Sequence, residues 1–377
     1  METDLNFMGK NIRFFRRSRN WTLAQLSSKI GIREGPLGRI ERGLNLPSAA
    51  VLYKLTKVFG ISADALFTDG RSQARTTLCN DSFFVAIDPC PKTPPKNLLT
   101  TCQGIMTAFH ALEDICTVQK HSYIPLSIPF EPDYQGMEQL ASRVRNYLGT
   151  GDAVVFDYFE LFENFGLRII LFPFTRNAKE LDSLSFYEPA CHNAFFFLNS
   201  RKNSEKRLFS LALELGKILI FNQMQIRKDS LFPEFPGESV ENRPINEARA
   251  AKRFAATFLM PETSVRATVC QLGVKPGTWS WELLLRIKHR FGISAETFLY
   301  RLQELDLISP DLCEQFKGRI QDFYDSTQFL EPDASRRCLN ANGRFFDLLL
   351  TAENQTFAQK EVADINRMVK EYKIIKI

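Results

Sequence analysis

The sequence predicts a mainly helical fold that encloses a small α+β domain. Three observations carry this. Residues 7–67 repeat apolar side chains at helical spacing in five short runs. From Gln135 amphipathic helices alternate with short, continuous apolar runs of strand length, and after Ile308 helical periodicity returns. A length of 377 residues suits two or three domains. Hydrophobic content of 44% and charged content of 24% are those of an ordinary globular chain. No apolar run approaches about 18 residues, and Met1 to Lys10 has no signal-peptide core. The expectation is a cytoplasmic protein, for a prokaryotic host, with no membrane partner.

The first element contributes Ile12 and Phe15, and the second Leu23, Leu26 and Ile30. Gly31 interrupts, Leu37 and Ile40 follow, and Gly43 stops the third run. Leu52, Leu55, Val58 and Phe59 form a fourth apolar face behind Pro47 and Ser48, and Ser62 caps a last helix ending near Phe67. Residues 1–60 hold eleven Lys and Arg against four Asp and Glu, whereas the net charge of the whole chain is only +5. A basic module on a near-neutral body points to a polyanion partner for that module.

Two helices joined by a tight glycine-containing turn, Thr22–Ile30 and Arg33–Arg42, are a helix-turn-helix arrangement, with the N-terminal residues of the second helix suited to the major groove. Trp21 to Ser27, Gly31-Ile32-Arg33, Arg39 to Gly43, Pro47-Ser48 and Phe59 to Ser62 resemble the Cro/repressor (XRE-type) family. The resemblance implies a five-helix repressor-like DNA-binding domain over residues 7–68. It implies DNA contacts for Thr22, Arg33, Glu34, Gly35, Pro36, Arg39, Arg42 and Asn45, and a structural ion pair between Arg16 and Glu41. Arg33 and Arg39 can donate to guanine or phosphate. Two departures stand out: Leu23 occupies a position where the family often has Gln, and the recognition helix carries Gly35, Pro36 and Gly38. Sparse base readout, with more weight on phosphate contacts and DNA shape, follows.

Residues 69–134 read as a linker with turn-rich stretches around Asp69-Gly70 and Asp88 to Pro95, a short strand at Phe83–Ile87, and a packing or dimerisation helix over Asn97–His121. Helices follow at Met137–Leu148 and Phe156–Phe165, strands at Leu167–Phe172 and Ala194–Leu198, and an apolar helix at Arg207–Phe221. Ala141 to Arg145, Glu163 to Ile169, Phe209 to Lys217, Arg253 to Pro261 and Leu284 to Glu296 resemble, in order, the ImmA/IrrE family of zinc-metallopeptidase-like domains, over about residues 135–308.

That resemblance implies a zinc site built on H-E-x-x-H, two imidazoles one helical turn apart with a glutamate to activate water. Here the positions hold Leu213, Glu214 and Lys217, and the third-ligand position falls on Ala248. Leucine and alanine cannot ligate, and a lysine cation repels zinc. The expectation is a catalytically inactive domain with no metal and no cofactor. His192 has no partner at ligand spacing and reads as an ordinary core or surface histidine. The eight cysteines form no C-x-x-C pair, which indicates neither a zinc finger nor a disulfide framework.

Trp279–Phe291 and Ser294–Leu305 are helices in which Arg286, Lys288, Arg290 and Arg301 mix with glutamates, a pattern that favours a solvated face over a second DNA contact. Residues 309–377 are helical and carry no legible role. Together these readings predict a transcriptional regulator, a repressor, that binds double-stranded DNA as a homodimer, with a small-molecule or protein ligand in the former peptidase cleft. The alternatives are an antitoxin or phage-immunity regulator acting through a protein partner and, behind it, an active zinc peptidase.

Overall fold

The structure is a computed structural model and describes residues 21–59, 94–124, 126, 128–227, 246–327, 330–335 and 342–374, together with 8, 9, 11–13, 15, 16, 66, 83 and 84. It divides into two compact units, residues 1–83 with 188–191, and residues 84–187 with 192–377.

In the first unit, residues 8–16 are helical where described, followed by α1 (Leu23–Ile30), α2 (Glu34–Glu41) and α3 (Ala49–Phe59). Thr22 opens α1 with a capping box: its hydroxyl accepts from the Gln25 amide at 3.2 Å, and the Gln25 side chain accepts from the Thr22 amide at 2.8 Å. Gly31 closes α1 at φ 67°, a left-handed conformation that glycine adopts without penalty and that turns the chain sharply into α2. Met8, Ile12, Phe15, Leu26, Ile30, Leu37, Ile40, Leu55 and Phe59 are buried together as the core, joined by Leu66. The rest of the expected fifth helix, with its Ser62 cap, lies outside the described residues, as do residues 69–82 and 85–93 of the linker, with all but Phe83 and Phe84 of the expected strand.

The second unit is built on a small sheet in the order β1-β3-β4-β2, whose body is the three strands β2 (Arg168–Phe172), β3 (Ser183–Glu188) and β4 (Asn193–Asn199); β1 (Phe83–Phe84) is a two-residue edge. Strands β2 and β4 run parallel, Arg168 opposite Phe195 and Phe172 opposite Asn199. Every residue of both is buried, so helices cover both faces, as a parallel pair requires. Alternate side chains divide between the faces. Ile169, Leu171, Phe196 and Leu198 join the large core with α7 (Ser204–Arg227). On the other face Phe195 meets Phe109 of α4 (Lys96–Ile115) edge-on at 5.5 Å, and Phe109 also meets Phe345 at 5.6 Å. Phe345 belongs to α13 (Gly343–Glu353).

Around α7 pack α5 (Tyr134–Tyr147), α6 (Tyr158–Asn164) and α8 (Glu247–Leu259), then α9 (Glu262–Gln271), α10 (Trp281–Phe291), α11 (Ala295–Glu304) and α12 (Pro310–Thr327). Gly216 lets α7 and α8 approach closely, since a Cβ there would lie 2.8 Å from the Phe254 ring. The C-terminal α13 and α14 (Gln359–Tyr372) both pack on α4. The apolar stripe of α4 is therefore covered within this chain. That helix ends at Ile115 rather than His121, because Thr117 turns left-handed at φ 53°. Among the described residues no helix is long and apolar enough to cross a membrane.

Three charged clusters tie the body together. Arg168 and Glu113, both fully buried, pair at 2.9 Å across β2 and α4. Lys288, fully buried, lies 3.1 Å from Glu331 and 3.5 Å from Glu205, and Arg301, also buried, reaches Glu138 and Glu304. Two of the four basic residues on the second helical pair thus hold the fold, while Arg286 and Arg290 are exposed.

Candidate nucleic-acid interface and the peptidase-like centre

The second helix of the helix-turn-helix pair, α2, is short and two-faced. Leu37, Ile40 and Glu41 are buried, while Glu34, Gly35, Pro36 and Arg39 are exposed, with Arg33 exposed at its N-cap. Pro36 fits the first turn, where its missing N–H would have no helical partner. The buried Glu41 takes two hydrogen bonds from Arg16, at 2.6 and 2.9 Å, and Arg16 also donates to the Trp21 carbonyl at 2.8 Å. The Glu41 hydrogen bond, working against partial burial, holds the Arg16 guanidinium above its already high ordinary pKa. One bidentate pair therefore locks the end of α2 to the first helix and to the entry of α1.

Thr22, Arg42 and Asn45 are also exposed. Arg42 donates from Nε to the Gly38 carbonyl at 3.1 Å, a second bond beside the one from its own backbone amide at 3.3 Å. Leu23 is half-buried against the core, its Cδ2 3.4 Å from where a Gly38 Cβ would lie. The two sequence departures are thus one feature: the leucine of α1 fills the space that the glycine of α2 leaves. Around Gly35 that space is open. Leu44, Leu46 and Tyr53 add exposed apolar surface to this unit.

In the body, Glu214 is fully buried and its carboxylate accepts from three side chains: Ser183 at 2.6 Å, Ser185 at 2.6 Å and Lys217 at 2.7 Å. Leu213 packs half-buried against the core, and Ala248 is half-buried near the start of α8. His192 is exposed at φ 45°, its ring stacked 6.4 Å from that of His121. Among the described residues no three His, Cys, Asp or Glu side chains are grouped to hold a metal ion. A zinc ion does not fit the residues at Leu213, Lys217 and Ala248, since the donor set has no imidazole and its one cation already binds the glutamate.

Residues 12–66 match the helix-turn-helix family model, and residues 162–303 match that of the IrrE N-terminal-like domain. Over 58 residues the chain is 43% identical to the uncharacterized HTH-type transcriptional regulator YazB of Bacillus subtilis (strain 168), covering 84% of that protein and 15% of this one. The chain belongs to the helix-turn-helix family. In this helix-turn-helix protein the second match carries the peptidase-like scaffold, so the two resemblances read from the motifs both hold.

Sequence reasoning missed Ser183 and Ser185, because β3 alternates serine with Leu184, Phe186 and Tyr187 too weakly to stand out from the turn-rich stretch before it. It also passed over Gln25, although Thr22-x-x-Gln25 has the spacing of a capping box.

Proposed function

We propose that this protein is a DNA-binding transcriptional regulator, a repressor, that grips duplex DNA as a homodimer through α2, with a body that senses rather than hydrolyses. One observation carries the DNA reading. Arg33, Glu34, Gly35 and Pro36 form the exposed N-terminal turn of α2 and Arg39 is exposed one turn further on, while Leu37, Ile40 and the Arg16–Glu41 clamp fix the buried side of the helix. Arg33 and Arg39 supply donors to guanine edges or phosphates, the open backbone at Gly35 allows close approach to the groove, and Thr22, Arg42 and Asn45 meet the sugar-phosphate backbone.

The non-hydrolytic reading rests on Glu214. A carboxylate already holding three donors in a buried network is a poor acceptor for a water proton. Selection of bound genomic fragments, followed by fluorescence anisotropy against salt, tests the first part. The expected result is a two-fold symmetric site with half-site centres about 34 Å apart and an affinity that falls steeply with salt. No salt-sensitive complex at low ionic strength would sink the DNA reading. Roughly one zinc per purified chain, together with peptide cleavage abolished by a chelator, would overturn the second part.

A further inference from the structure

We propose that a cleft between α6, the segment 118–123 and α13 binds a small organic cation carrying N–H donors, an amine or a guanidine, and that this cleft is where the body takes its signal. The proposal deepens the sensor reading and rests on it. It moves the ligand away from the peptidase-like centre, since none of the residues lining the cleft belongs to that centre.

The cleft has a volume of about 440 Å³, suited to a small molecule. Its lining includes the carboxylates Glu160, Glu163 and Asp347 against one cation, Arg344. Glu163 is the informative group. It is 7% exposed, its Oε2 accepts from the Arg344 amide at 3.1 Å, and its Oε1 has no hydrogen-bond partner among the described residues. Buried polar atoms are nearly always satisfied, so this orphan, sealed from solvent on a residue that lines the cleft, marks a place for a donor that a small turn of the Glu163 side chain opens. The Arg344 guanidinium does not fill it; its Nη2 lies 3.8 Å from Glu113, a second carboxylate fully buried behind the cleft. Glu160 and Asp347 are exposed, where they attract a cation toward the buried oxygen. A metal ion is disfavoured, because no metal-binding trio forms among the described residues and Tyr123, Val118 and Leu348 give the cleft an apolar wall.

Burial pushes the Glu163 carboxyl up to about 8; the Arg344 amide and charge oppose that rise, and Asp347 and Asp157 add to it. The free cleft therefore holds a proton at neutral pH. A cation bound against Glu163 favours the ionised form, expels that proton and binds more tightly as pH rises from 6 towards 8.

Titration calorimetry of the full chain with agmatine tests this, alongside tetramethylammonium, which has the charge without the N–H donors. Saturable one-to-one binding is expected, with proton release at pH 7 read from buffers of different ionisation enthalpy. Tetramethylammonium and the E163Q variant should each bind at least tenfold more weakly, and E163Q should release no proton. D347N, an exposed change that leaves the fold intact, should weaken binding severalfold and keeps the test open if E163Q misfolds. No saturable heat at millimolar agmatine, or binding unchanged in D347N and E163Q, overturns the proposal. Equal binding of tetramethylammonium overturns it too. DNA binding is measured separately, without agmatine. A DNA complex with no agmatine binding sinks the cleft alone, and agmatine binding with no DNA complex sinks the DNA reading alone.

Discussion

Glu41 in the first unit and Glu214 in the body are both buried helical carboxylates, and they meet opposite fates. Glu41 has its side-chain bonds from Arg16, on the side of α2 away from solvent. The charge is satisfied, and the exposed side of the helix stays open. Glu214 has three donors from two elements, β3 and α7, and is enclosed by them. The chemistry is the same, but one arrangement positions a surface and the other closes one. Where the partners come from, rather than the presence of a buried charge, separates a working face from a structural knot.

The sharpest way to break this comparison is at Arg16. Truncating it to alanine leaves Glu41 buried without a counter-charge, which costs about 3 kcal/mol or more. Chemical denaturation should show the first unit losing most of its stability, with DNA binding lost alongside. Removing both side chains should recover part of the loss, because no lone charge then remains. If Arg16→Ala proved as stable as the parent, Glu41 would not depend on its partner and the contrast with Glu214 would vanish.

Ser185→Ala is next in size. The hydroxyl is fully buried and donates to Oε2 of Glu214, so its loss should cost about 2 kcal/mol, the range for hydrogen bonds to charged groups. The measurement is the shift in unfolding midpoint of the body, with DNA affinity unaffected. An effect near zero would mean that Lys217 and Ser183 suffice and that the glutamate is less enclosed than its geometry says.

How far the sequence revealed these two sites differs for a physical reason. The first unit has local signals: Gly31 as a helix stop, leucines at helical spacing, and the Arg16 and Glu41 positions of a familiar pattern. Each acts within a few residues, so the three helices α1 to α3 and the ion pair were legible. The body has long-range ones. Glu214 was visible as a motif residue beside Lys217, but Ser183 and Ser185 lie 31 and 29 residues away on a strand whose polar alternation resembles a loop. The cover on α4 was invisible for the same reason, since Phe345 and Phe109, which meet at 5.6 Å, are separated by most of the chain. Asn342 likewise bonds both the amide and the carbonyl of Leu171 in β2, a contact across 171 residues.

A smaller effect separates the open face from its support. Arg39→Ala removes an exposed side chain, so stability should stay within about 0.5 kcal/mol of the parent. DNA affinity should fall by about 1–3 kcal/mol if Arg39 reads a base, with specificity relaxed at that position. A uniform loss across all sequences, with a shallower salt dependence, would instead assign it to phosphate.

Thr22 gives the smallest effect, and it tests whether one hydroxyl serves both ends of the argument. As an N-cap it accepts from the Gln25 amide, and Thr22→Ala should cost about 1 kcal/mol of stability. Thr22→Ser keeps the oxygen and should restore nearly all of it. The same hydroxyl can also donate, a capacity that the capping box does not use, and the residue is exposed. If the hydroxyl hydrogen meets a phosphate, Thr22→Ala should lose DNA affinity even at a temperature where the variant is fully folded, and Thr22→Ser should regain it. If affinity follows folded fraction alone, the threonine is a cap and nothing more, and the open face begins at Arg33.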